Sequence, residues 1–365
     1  MKAGWKIVAL GELCDILDSK RKPITKRDRT PGKYPYYGAT GIQDFVEGFL
    51  FDEPLVLVGE DGAKWASGEK TAFAIKGKCW VNNHAHVLRP NRALLNDNWL
   101  VHFLVHSDLS PFVSGLTVPK LNQGSLREIP IPLPPLPEQH RIVALLDEAF
   151  DGIATARANA EKNLKNARAL FDSHLHSVFT EWGEGWVETT IDKISTNLDS
   201  KRIPITKSDR KSGEYPYYGA SGIVDYVADY IFDGDALLVS EDGANLLARS
   251  TPIAFSVSGR YWVNNHAHIL KFEHMATQRF VEFYLASIRL DEYITGAAQP
   301  KLNQKALNFI PIPIPVAIDT QKLIVERIES MQEETQRLES LYQRKLAALD
   351  ALKQSLLHQA FSGAL

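Results

Sequence analysis

The heptapeptide WVNNHAH at residues 80–86 occurs a second time at residues 262–268. Other segments recur in the same order: YPYYGA at 34–39 and 215–220, EDGA at 60–63 and 241–244, PKLNQ at 119–123 and 300–304, and IPIP at 129–132 and 310–313. The offset is 181 or 182 residues throughout. A repeat of this length is large enough to hold a domain and a connector. The chain of 365 residues is therefore one unit written twice.

Each unit begins with a segment that predicts a globular head, residues 1–137 in the first copy and 183–318 in the second. Aromatic and β-branched residues alternate there with Gly, Pro and Asp-Gly turn signals, and runs such as PLVLVGEDG and KCWVNNHAHVL predict short strands. A helix is expected over 94–107 in the first head, matched by another over 276–289 in the second. We therefore expect an α+β fold with two pseudo-symmetric heads.

A long helix is predicted after each head, over residues 138–182 and 319–365. The proline-rich stretch IPIPLPPLPEQ at 129–139 cannot continue a helix, so it marks the exit from the first head. Apolar residues then follow a three-four spacing, which is typical of a coiled coil. Because each helix leaves a different head, the two helices must pair antiparallel. Helices of about 40 residues are roughly 60 Å long, and so would hold the heads apart.

The apolar seams of these helices are predicted residue by residue. The first comprises Ile142, Leu146, Ala149, Ile153, Ala156, Ala160, Ala167 and Leu170, with Asn163 and His174 as polar positions. The second comprises Ile324, Ile328, Met331, Leu338, Tyr342, Leu349, Leu352 and Leu356, with Thr335 and Lys345 as polar positions. The first seam offers small residues where the second offers large ones, which predicts close packing between them.

Composition limits the class of protein. Hydrophobic residues make up 44% of the chain and no stretch approaches the roughly 18 to 20 apolar residues of a membrane helix, so we expect a cytoplasmic protein without membrane contact. Two cysteines, Cys14 and Cys79, are too few for a disulfide framework. The net charge of −3 hides a basic segment, KRKPITKRDRTPGK at 20–33, with seven basic residues and one acid. A nearly neutral total can therefore conceal a basic face.

Two heads, two long helices and a proline-rich passage into each helix together resemble the specificity subunit of type I restriction-modification systems. IPIPLPPLPEQHRIV at 129–143 is similar to that family's junction, whereas IPIPIPVAIDTQKLIV at 310–325 departs from it at Thr320, which replaces the glutamate. The resemblance covers essentially the whole chain. It implies two target-recognition domains, one for each half of a split sequence in double-stranded DNA, with the helices setting the spacer between the halves.

The resemblance also implies partners. Two copies of an adenine methyltransferase (M) subunit would bind around the helices, and motor-nuclease (R) subunits would join them. S-adenosylmethionine, Mg²⁺ and ATP would belong to those partners, and no cofactor or metal is expected in this chain. The sequence contains neither a GxxxxGK[ST] phosphate loop nor the Asn/Asp-Pro-Pro-aromatic motif of amino-methyltransferases. We expect no catalytic activity and no catalytic residues.

Candidate DNA contacts lie in three recurring segments: the basic segment, YPYYGA and PKLNQ. Basic side chains of the first segment could neutralise phosphates, and amides of PKLNQ could pair with adenine edges. The alternatives are a solvated loop for the basic segment, core positions for the tyrosines, and a helix cap for the asparagine. The candidates in the first copy are Lys20, Arg21, Lys22, Lys26, Arg27, Tyr37, Lys120, Asn122 and Gln123, and in the second copy Lys201, Arg202, Lys207, Arg210, Tyr218, Lys301, Asn303 and Gln304.

The two copies diverge most after EDGA, where AKWASGEKTA at 63–72 faces ANLLARSTPIA at 244–254. Such a patch is where two recognition domains could differ in base reading. The hypothesis places four side chains near DNA bases: Lys64, Trp65, Ser67 and Arg249.

The histidines of NNHAH permit another interpretation. His84 and His86 are predicted on one face of a strand, as are His266 and His268, which could begin a metal site, although buried hydrogen-bonding histidines are the favoured interpretation. EDGA is interpreted as a tight turn. The competing functions are a metal-dependent nuclease, using these histidines with Glu60 and Asp61, and a scaffold whose heads bind protein or glycan. Neither explains the basic segments and the junction together.

Overall fold

The structure is a computed structural model that describes residues 4–115, 117–296 and 298–365. It divides into two compact units, the first formed by residues 1–161 with 343–365 and the second by residues 162–342. Each unit contains one head and parts of both long helices. Among the described residues, none of the helices combines the length and apolarity that crossing a membrane requires.

The first head alternates short strands with three short helices before a long helix. Its elements are β1 Lys6–Ala9, α1 Leu10–Leu13, β2 Cys14–Ile16, β3 Pro31–Gly38, β4 Gly41–Val46, β5 Phe51–Asp52, β6 Leu55–Gly59, β7 Ala72–Ile75, β8 Lys78–Val81, β9 Ala85–Pro90, α2 Asp97–His106, α3 Gln123–Arg127 and β10 Pro130–Leu133, followed by α4 Leu136–Thr180.

The second head repeats this order and adds one short helix. Its elements are β11 Trp186–Thr190, α5 Ile191–Ile194, β12 Thr196–Asn197, β13 Ser212–Gly219, β14 Gly222–Val227, β15 Phe232–Asp233, β16 Ala236–Ser240, α6 Asn245–Ala248, β17 Ala254–Val257, β18 Arg260–Val263, β19 Ala267–Lys271, α7 Met275–Ser287, α8 Gln304–Asn308 and β20 Pro311–Pro315, followed by α9 Ile318–Ser362.

Within the described residues, two four-stranded sheets and one two-stranded sheet form each head. In the first head the strand orders are β2-β9-β6-β7, β4-β3-β8-β5 and β1-β10, and the second head has the equivalent sheets. Pairing is antiparallel except between β3 and β8, and between β13 and β18. The central strand β6 is buried at all five positions, which explains why PLVLVG reads as an uninterrupted apolar run. The predicted α+β class and the two-head organisation are confirmed.

The two long helices pair antiparallel within each unit. In the first unit, Ile142 and Leu146 near the beginning of α4 share a core with Leu357 and Ala360 near the end of α9. In the second unit the opposite ends meet in the same way, with residues from the end of α4 and the beginning of α9 in one core. The aliphatic side chains of the seam therefore continue the core of each head.

Four seam predictions are wrong. The exposed positions are Asn163, Leu170, Lys345 and Leu352. Leu170 is 63% exposed, and its neighbour Phe171 is packed against the core in its place. At Leu170 the reason is geometric: a helix of 3.6 residues per turn drifts by about 20° per heptad relative to a strict seven-residue repeat, so over four heptads the buried face of α4 moves on by one position.

A buried glutamine fixes each helix to the strand that precedes it. The side chain of Gln139 is fully buried and donates hydrogen bonds to the carbonyl oxygens of Leu94 and Pro134, both at 2.8 Å, while its Oε1 accepts from the backbone N–H of Asn96 at 2.8 Å. These three bonds connect the loop before α2, the exit from the head and the first turn of α4. The head and its helix are therefore joined by specific hydrogen bonds as well as by apolar packing.

The second unit has the same device. The amide of Gln321, 3% exposed, donates to the carbonyl of Pro315 at 2.7 Å and accepts from the hydroxyl of Thr277 at 2.7 Å. Gln139 and Gln321 are the glutamines of the two proline-rich junctions. The junction departs from the expected pattern at Thr320 but keeps the glutamine that makes the connection.

We expect Gln139→Ala to lower the free energy of unfolding by about 1–3 kcal/mol, because it leaves a buried N–H and two buried carbonyls without their partner. Chemical denaturation of the full chain measures the change. The matched control is Gln336→Ala on an exposed position of α9, which should change stability by less than about 0.5 kcal/mol. Equal effects of the two substitutions would contradict the role given to Gln139.

Candidate nucleic-acid interface

A buried carboxylate, Glu60, lies at the point where β6 ends. It is 7% exposed, yet it forms ion pairs with Arg21, which follows the turn at residues 18–20, and with Lys120 of PKLNQ, whose Nζ lies 2.8 Å from its Oε1. A carboxylate removed from water is costly unless cations and hydrogen bonds compensate it. Glu60 therefore holds together two segments that are far apart in sequence.

His86 extends this cluster into the core. Its ring is fully buried, with Nδ1 2.6 Å from a carboxylate oxygen of Asp18 and Nε2 2.7 Å from the carbonyl oxygen of Leu121. Both ring nitrogens therefore have a hydrogen-bonding partner. The other oxygen of Asp18 accepts from the backbone N–H of Val87 at 2.9 Å. Arg21 forms ion pairs with both Asp18 and Glu60, and Lys120 pairs with Glu60, so the cluster joins two cations to two carboxylates.

The second head builds the same cluster from equivalent residues. Glu241 forms ion pairs with Arg202 at 2.6 Å and with Lys301 at 3.0 Å. His268 lies 2.5 Å from Asp199 and 2.7 Å from the carbonyl oxygen of Leu302. The repetition of every contact shows that the cluster belongs to the duplicated unit.

Four of the recurring segments meet at this place in each head. In the first head the backbone N–H of Glu60 donates to the carbonyl of His84, and the N–H of Leu121 donates to the carbonyl of Glu60, both at 2.9 Å. The beginning of the basic segment, EDGA, NNHAH and PKLNQ therefore form one surface, which we call the loop cluster: residues 18–22, 60–62, 82–86 and 120–123 in the first head, and their equivalents in the second.

Several predicted contact residues are exposed on or beside the loop cluster. Lys120 keeps 44% of its side chain accessible while paired with Glu60, and Lys301 keeps 50%. The remaining exposed candidates are Lys20, Lys22, Lys26, Arg27, Asn122 and Gln123 in the first head, and Lys201, Lys207 and Gln304 in the second. Gln123 and Gln304 are the first residues of α3 and α8.

Other candidates are engaged within their own heads. Arg21 and Arg202 are only 12% and 14% exposed in their ion pairs. Arg210 pairs with Asp225 at 3.1 Å and lies over the ring of Tyr217, 4.4 Å from its centroid. These guanidinium groups add positive charge to the surface, but contact with DNA would require them to leave their carboxylates.

The asparagines of PKLNQ cap the helices that follow. The side chain of Asn122 accepts from the N–H of Ser125, and that of Asn303 from the N–H of Ala306, each at 2.9 Å. Asparagine at this position satisfies an N–H that the first helical turn leaves unpaired. The helix cap, one of the two interpretations that the sequence offered, is therefore the structural role of both asparagines. Contact with a base stays a prediction.

The adjacent tyrosines Tyr36 and Tyr37 of YPYYGA have different roles. Tyr36 is 1% exposed, and its hydroxyl accepts from the N–H of Ile24 at 3.0 Å. Tyr37 is half-buried, with its ring 5.8 Å from that of Phe73, and Tyr218 lies 5.9 Å from the ring of Phe255. Tyr36 therefore anchors the basic segment, whereas Tyr37 and Tyr218 pack mainly within their heads.

The divergent patch caps a helix in both heads, by different chemistry. In the first head the hydroxyl of Ser67 and the N–H of Gly68 donate to the carbonyls of His106 and Val105, at the end of α2. In the second head, Arg249 donates to the carbonyls of Leu285 and Ile288, at 3.1 and 2.7 Å, around the end of α7. Cationic donors are favourable at a helix C-terminus.

The exposure and hydrogen bonds of the four patch residues show which side chains are available to contact a base. Trp65 is 8% exposed and donates to the carbonyl of Gly59 at 3.2 Å, so its indole lies in the core. Lys64 is 80% exposed, 3.7 Å from Glu69. Of the four patch residues, Lys64 alone presents a largely free side chain, and the other three hold local structure.

The expectation that His84 and His86 share one face of a strand is wrong. His84 lies in the turn before β9, is 47% exposed and pairs with Asp61, while His86 points into the core. The equivalent His266 lies 2.9 Å from Asp242. The sequence pattern was ambiguous because WVNNHAHVL contains two strands separated by a turn.

A metal ion could in principle be held by Asp18, Glu60 and His86, whose ligand atoms lie within 4.8 Å of one another. The donor set does not fit a cation well. Arg21 and Lys120 already neutralise the Glu60 carboxylate, and Nε2 of His86 is engaged by a carbonyl. An added divalent ion would be placed beside two fixed positive charges.

Comparison with known proteins gives the family. The family described as "Type I restriction modification DNA specificity domain" matches residues 2–165 and again 183–345. The chain belongs to this family. It is a specificity subunit, the non-catalytic DNA-recognition component of a type I restriction-modification complex.

Proteins of similar sequence have names that agree with this family assignment. A type I restriction enzyme specificity subunit of Escherichia coli, EcoDI, is 21% identical over 417 residues, which cover 99% of this chain and 88% of the relative. A Haemophilus influenzae protein named as a specificity subunit of a type I restriction enzyme is 41% identical over 143 residues, 39% of this chain. The chain spans only 36% of the length of that relative.

Solved structures show the same fold. The HsdS subunit from Thermoanaerobacter tengcongensis covers this chain completely with a TM-score of 0.62 at 18% identity. A chain from a structure of complex assembly and conformational transition in the type I R-M system gives a TM-score of 0.74, also at 18% identity and complete coverage.

The contacts of Asp18 in this cluster predict how the free energy of unfolding depends on pH. Burial alone would raise the pKa of Asp18, but the hydrogen bond and charge of His86, the N–H of Val87 and Arg21 outweigh it, so the pKa is lowered below 3.8. Its stabilising contribution is therefore complete above about pH 4 and lost as the pH falls towards the folded-state pKa. We expect Asp18→Asn to cost about 1–3 kcal/mol at pH 7 and to weaken the loss of stability in acid.

Unfolding free energies between pH 7 and pH 3 test this. The control is Asp151→Asn, on an exposed position of α4, which should leave both the stability and its acid dependence unchanged. If Asp18→Asn and wild type lost stability equally as the pH fell, the assignment to Asp18 would be wrong.

A second prediction concerns Arg249. Arg249→Ala should lower the free energy of unfolding by about 1–3 kcal/mol, because two carbonyls at the end of α7 lose a charged donor. Arg337→Ala on α9 is the matched control, since that side chain is 72% exposed and pairs with Glu334 of the same helix; it should change stability by less than about 0.5 kcal/mol. Thermal or denaturant unfolding distinguishes the two.

Proposed function

We propose that each head binds one half of a split sequence in double-stranded DNA, and that the two long helices set the spacer between the halves. The observation that carries the proposal is the duplicated loop cluster. In both heads a buried glutamate brings the beginning of the basic segment beside PKLNQ, so exposed lysines and a glutamine share one surface. Phosphate-binding and base-reading groups are needed together at such a surface.

The proposed division of labour follows from side-chain chemistry. Exposed lysines such as Lys22 and Lys201 would contact phosphates, which fixes position and gives salt-dependent affinity. Gln123 and Gln304 carry amides that can make paired hydrogen bonds with adenine. Their places at the first residues of α3 and α8 are rigid, because Asn122 and Asn303 cap these helices. Rigid placement favours discrimination between bases.

The two heads would recognise related half-sites. Their loop clusters are built from the same residue types with the same contacts, and the divergent patch mainly caps α2 or α7. A protein with two-fold pseudo-symmetry presents similar surfaces to the two strands, so we expect similar half-sites in inverted orientation.

The proposal includes the partners of a complete enzyme. Two adenine methyltransferase subunits would bind along the helices, and motor-nuclease subunits would join for restriction. S-adenosylmethionine, Mg²⁺ and ATP would be bound by those partners, in the cytoplasm where the DNA lies. The similarity to specificity subunits supports this assembly.

The test is co-expression of the full chain with its methyltransferase, followed by single-molecule sequencing of host DNA for methyladenine. A split motif that is methylated only when this chain is present is expected. An active, intact complex that methylates no chain-dependent motif would overturn the proposal in favour of a scaffold or nuclease function.

Substitutions in the same assay should assign the halves. Gln123→Ala should relax one or more positions in one half-site only, and Gln304→Ala in the other half-site only, with a discrimination loss of about 1–3 kcal/mol at an affected base. Gln336→Ala on α9 is the control and should leave the motif unchanged. Identical motifs in all three variants would remove Gln123 and Gln304 from base reading without touching the function of the chain.

A further inference from the structure

Two exposed ion pairs connect the long helices, one in each unit. Arg157 of α4 pairs with Asp350 of α9 in the first unit, and Arg168 of α4 pairs with Glu339 of α9 in the second. Each pair keeps at least a quarter of both side chains accessible to solvent. Exposed ion pairs of this kind contribute little to the free energy of unfolding. Their main effect is on which helices can pair with each other.

The repeat relates these two pairs to each other. Both helices have 45 residues and correspond at an offset of 182. Arg157 therefore corresponds to Glu339, and Arg168 to Asp350. The two ion pairs occupy equivalent places in the two units, yet α4 supplies both arginines and α9 supplies both acids.

This distribution opposes pairing between like helices. If α4 met α4 of a second copy in the same antiparallel register, Arg157 would face Arg168 twice. If α9 met α9, Glu339 would face Asp350 twice. Like charges in such positions repel by about as much as opposite charges attract. Only the pairing of α4 with α9 makes every one of these contacts favourable.

Side-chain size points the same way. Ala160 and Ala167 of α4 are 1% and 9% exposed, and they correspond to Tyr342 and Leu349 of α9. The two ion pairs set a register that brings Ala160 to within about two residues of the level of Leu349, and Ala167 equally close to that of Tyr342. Pairing like with like would set alanine opposite alanine and tyrosine opposite leucine, which leaves space in one pair and overfills the other.

We propose that the long helices carry a recognition code that selects the pairing of α4 with α9 and rejects the same helix of a second copy of this chain. The code keeps a first head joined to a second head, so that two different recognition domains stay in one subunit. The inference rests on the helix contacts and does not depend on whether the heads bind DNA.

The full chain carrying both Arg157→Glu and Glu339→Arg tests the charge part of the code. This exchange keeps the net charge and the amino-acid composition. It makes both intrachain pairs repulsive and makes pairing between like helices of two copies attractive. We expect the association constant for dimer formation, measured by sedimentation equilibrium at low salt, to rise by about tenfold or more over wild type. In 1 M salt the difference should largely disappear.

The control is the fourfold reversal Arg157→Glu, Arg168→Glu, Glu339→Arg and Asp350→Arg, which has the same net charge, keeps both intrachain pairs attractive and keeps like helices repulsive; its association constant should match wild type. Arg168→Glu with Asp350→Arg is an independent second variant that should dimerise like the first, and it decides the question if circular dichroism shows that the first variant does not fold. Association constants that are the same in both exchange variants, the control and wild type would overturn the proposal.

Discussion

The arrangement of each head depends on a buried carboxylate that needs positive partners. Glu60 follows the most buried strand of its sheet, so its charge is taken out of water when the sheet forms. The cost of an isolated charge in that place is several kcal/mol. Arg21 and Lys120 compensate it, and in doing so they bring the two segments that carry the candidate DNA contacts to one end of the sheet.

His86 makes this arrangement specific. Each nitrogen of its ring has a fixed partner, Asp18 on one side and the carbonyl oxygen of Leu121 on the other. The ring thus connects the turn before the basic segment with PKLNQ through the core of the head. Because Glu241 and His268 repeat these contacts, the duplicated unit preserves an entire charged network and not merely a set of similar residues.

The heads and helices use different physical means for different tasks. Within a head, a small number of buried charges and hydrogen bonds fix the loops against a sheet. Between the helices, apolar packing provides the stability, while exposed charges such as Arg157 and Asp350 govern which helix is accepted. The junction glutamines join these systems, since Gln139 has hydrogen bonds on both sides of the boundary.

The sequence by itself determined the repeat, the two heads, the long helices and the family, because repetition and three-four periodicity are properties of the chain that survive without coordinates. It also brought attention to Arg21, Lys120, Asn122 and the histidines, but only as residue types that suit DNA or metal. Their actual partners were decided by tertiary structure. From the sequence, Glu60 was interpreted as part of a tight turn. No local sequence pattern shows that two cations from distant segments pair with its side chain.

For the same reason the sequence did not predict the role of the divergent patch or the shift of the buried face along α4. A difference between two copies indicates that a segment is free to vary, but not whether it faces DNA or the end of a helix. Arg249 caps α7 because the fold places two free carbonyls within its reach, which no spacing in the sequence records. Likewise Phe171 replaces Leu170 on the buried face because the twist of a real helix accumulates over several turns. Local pattern thus specified the elements, and long-range packing specified what each side chain does.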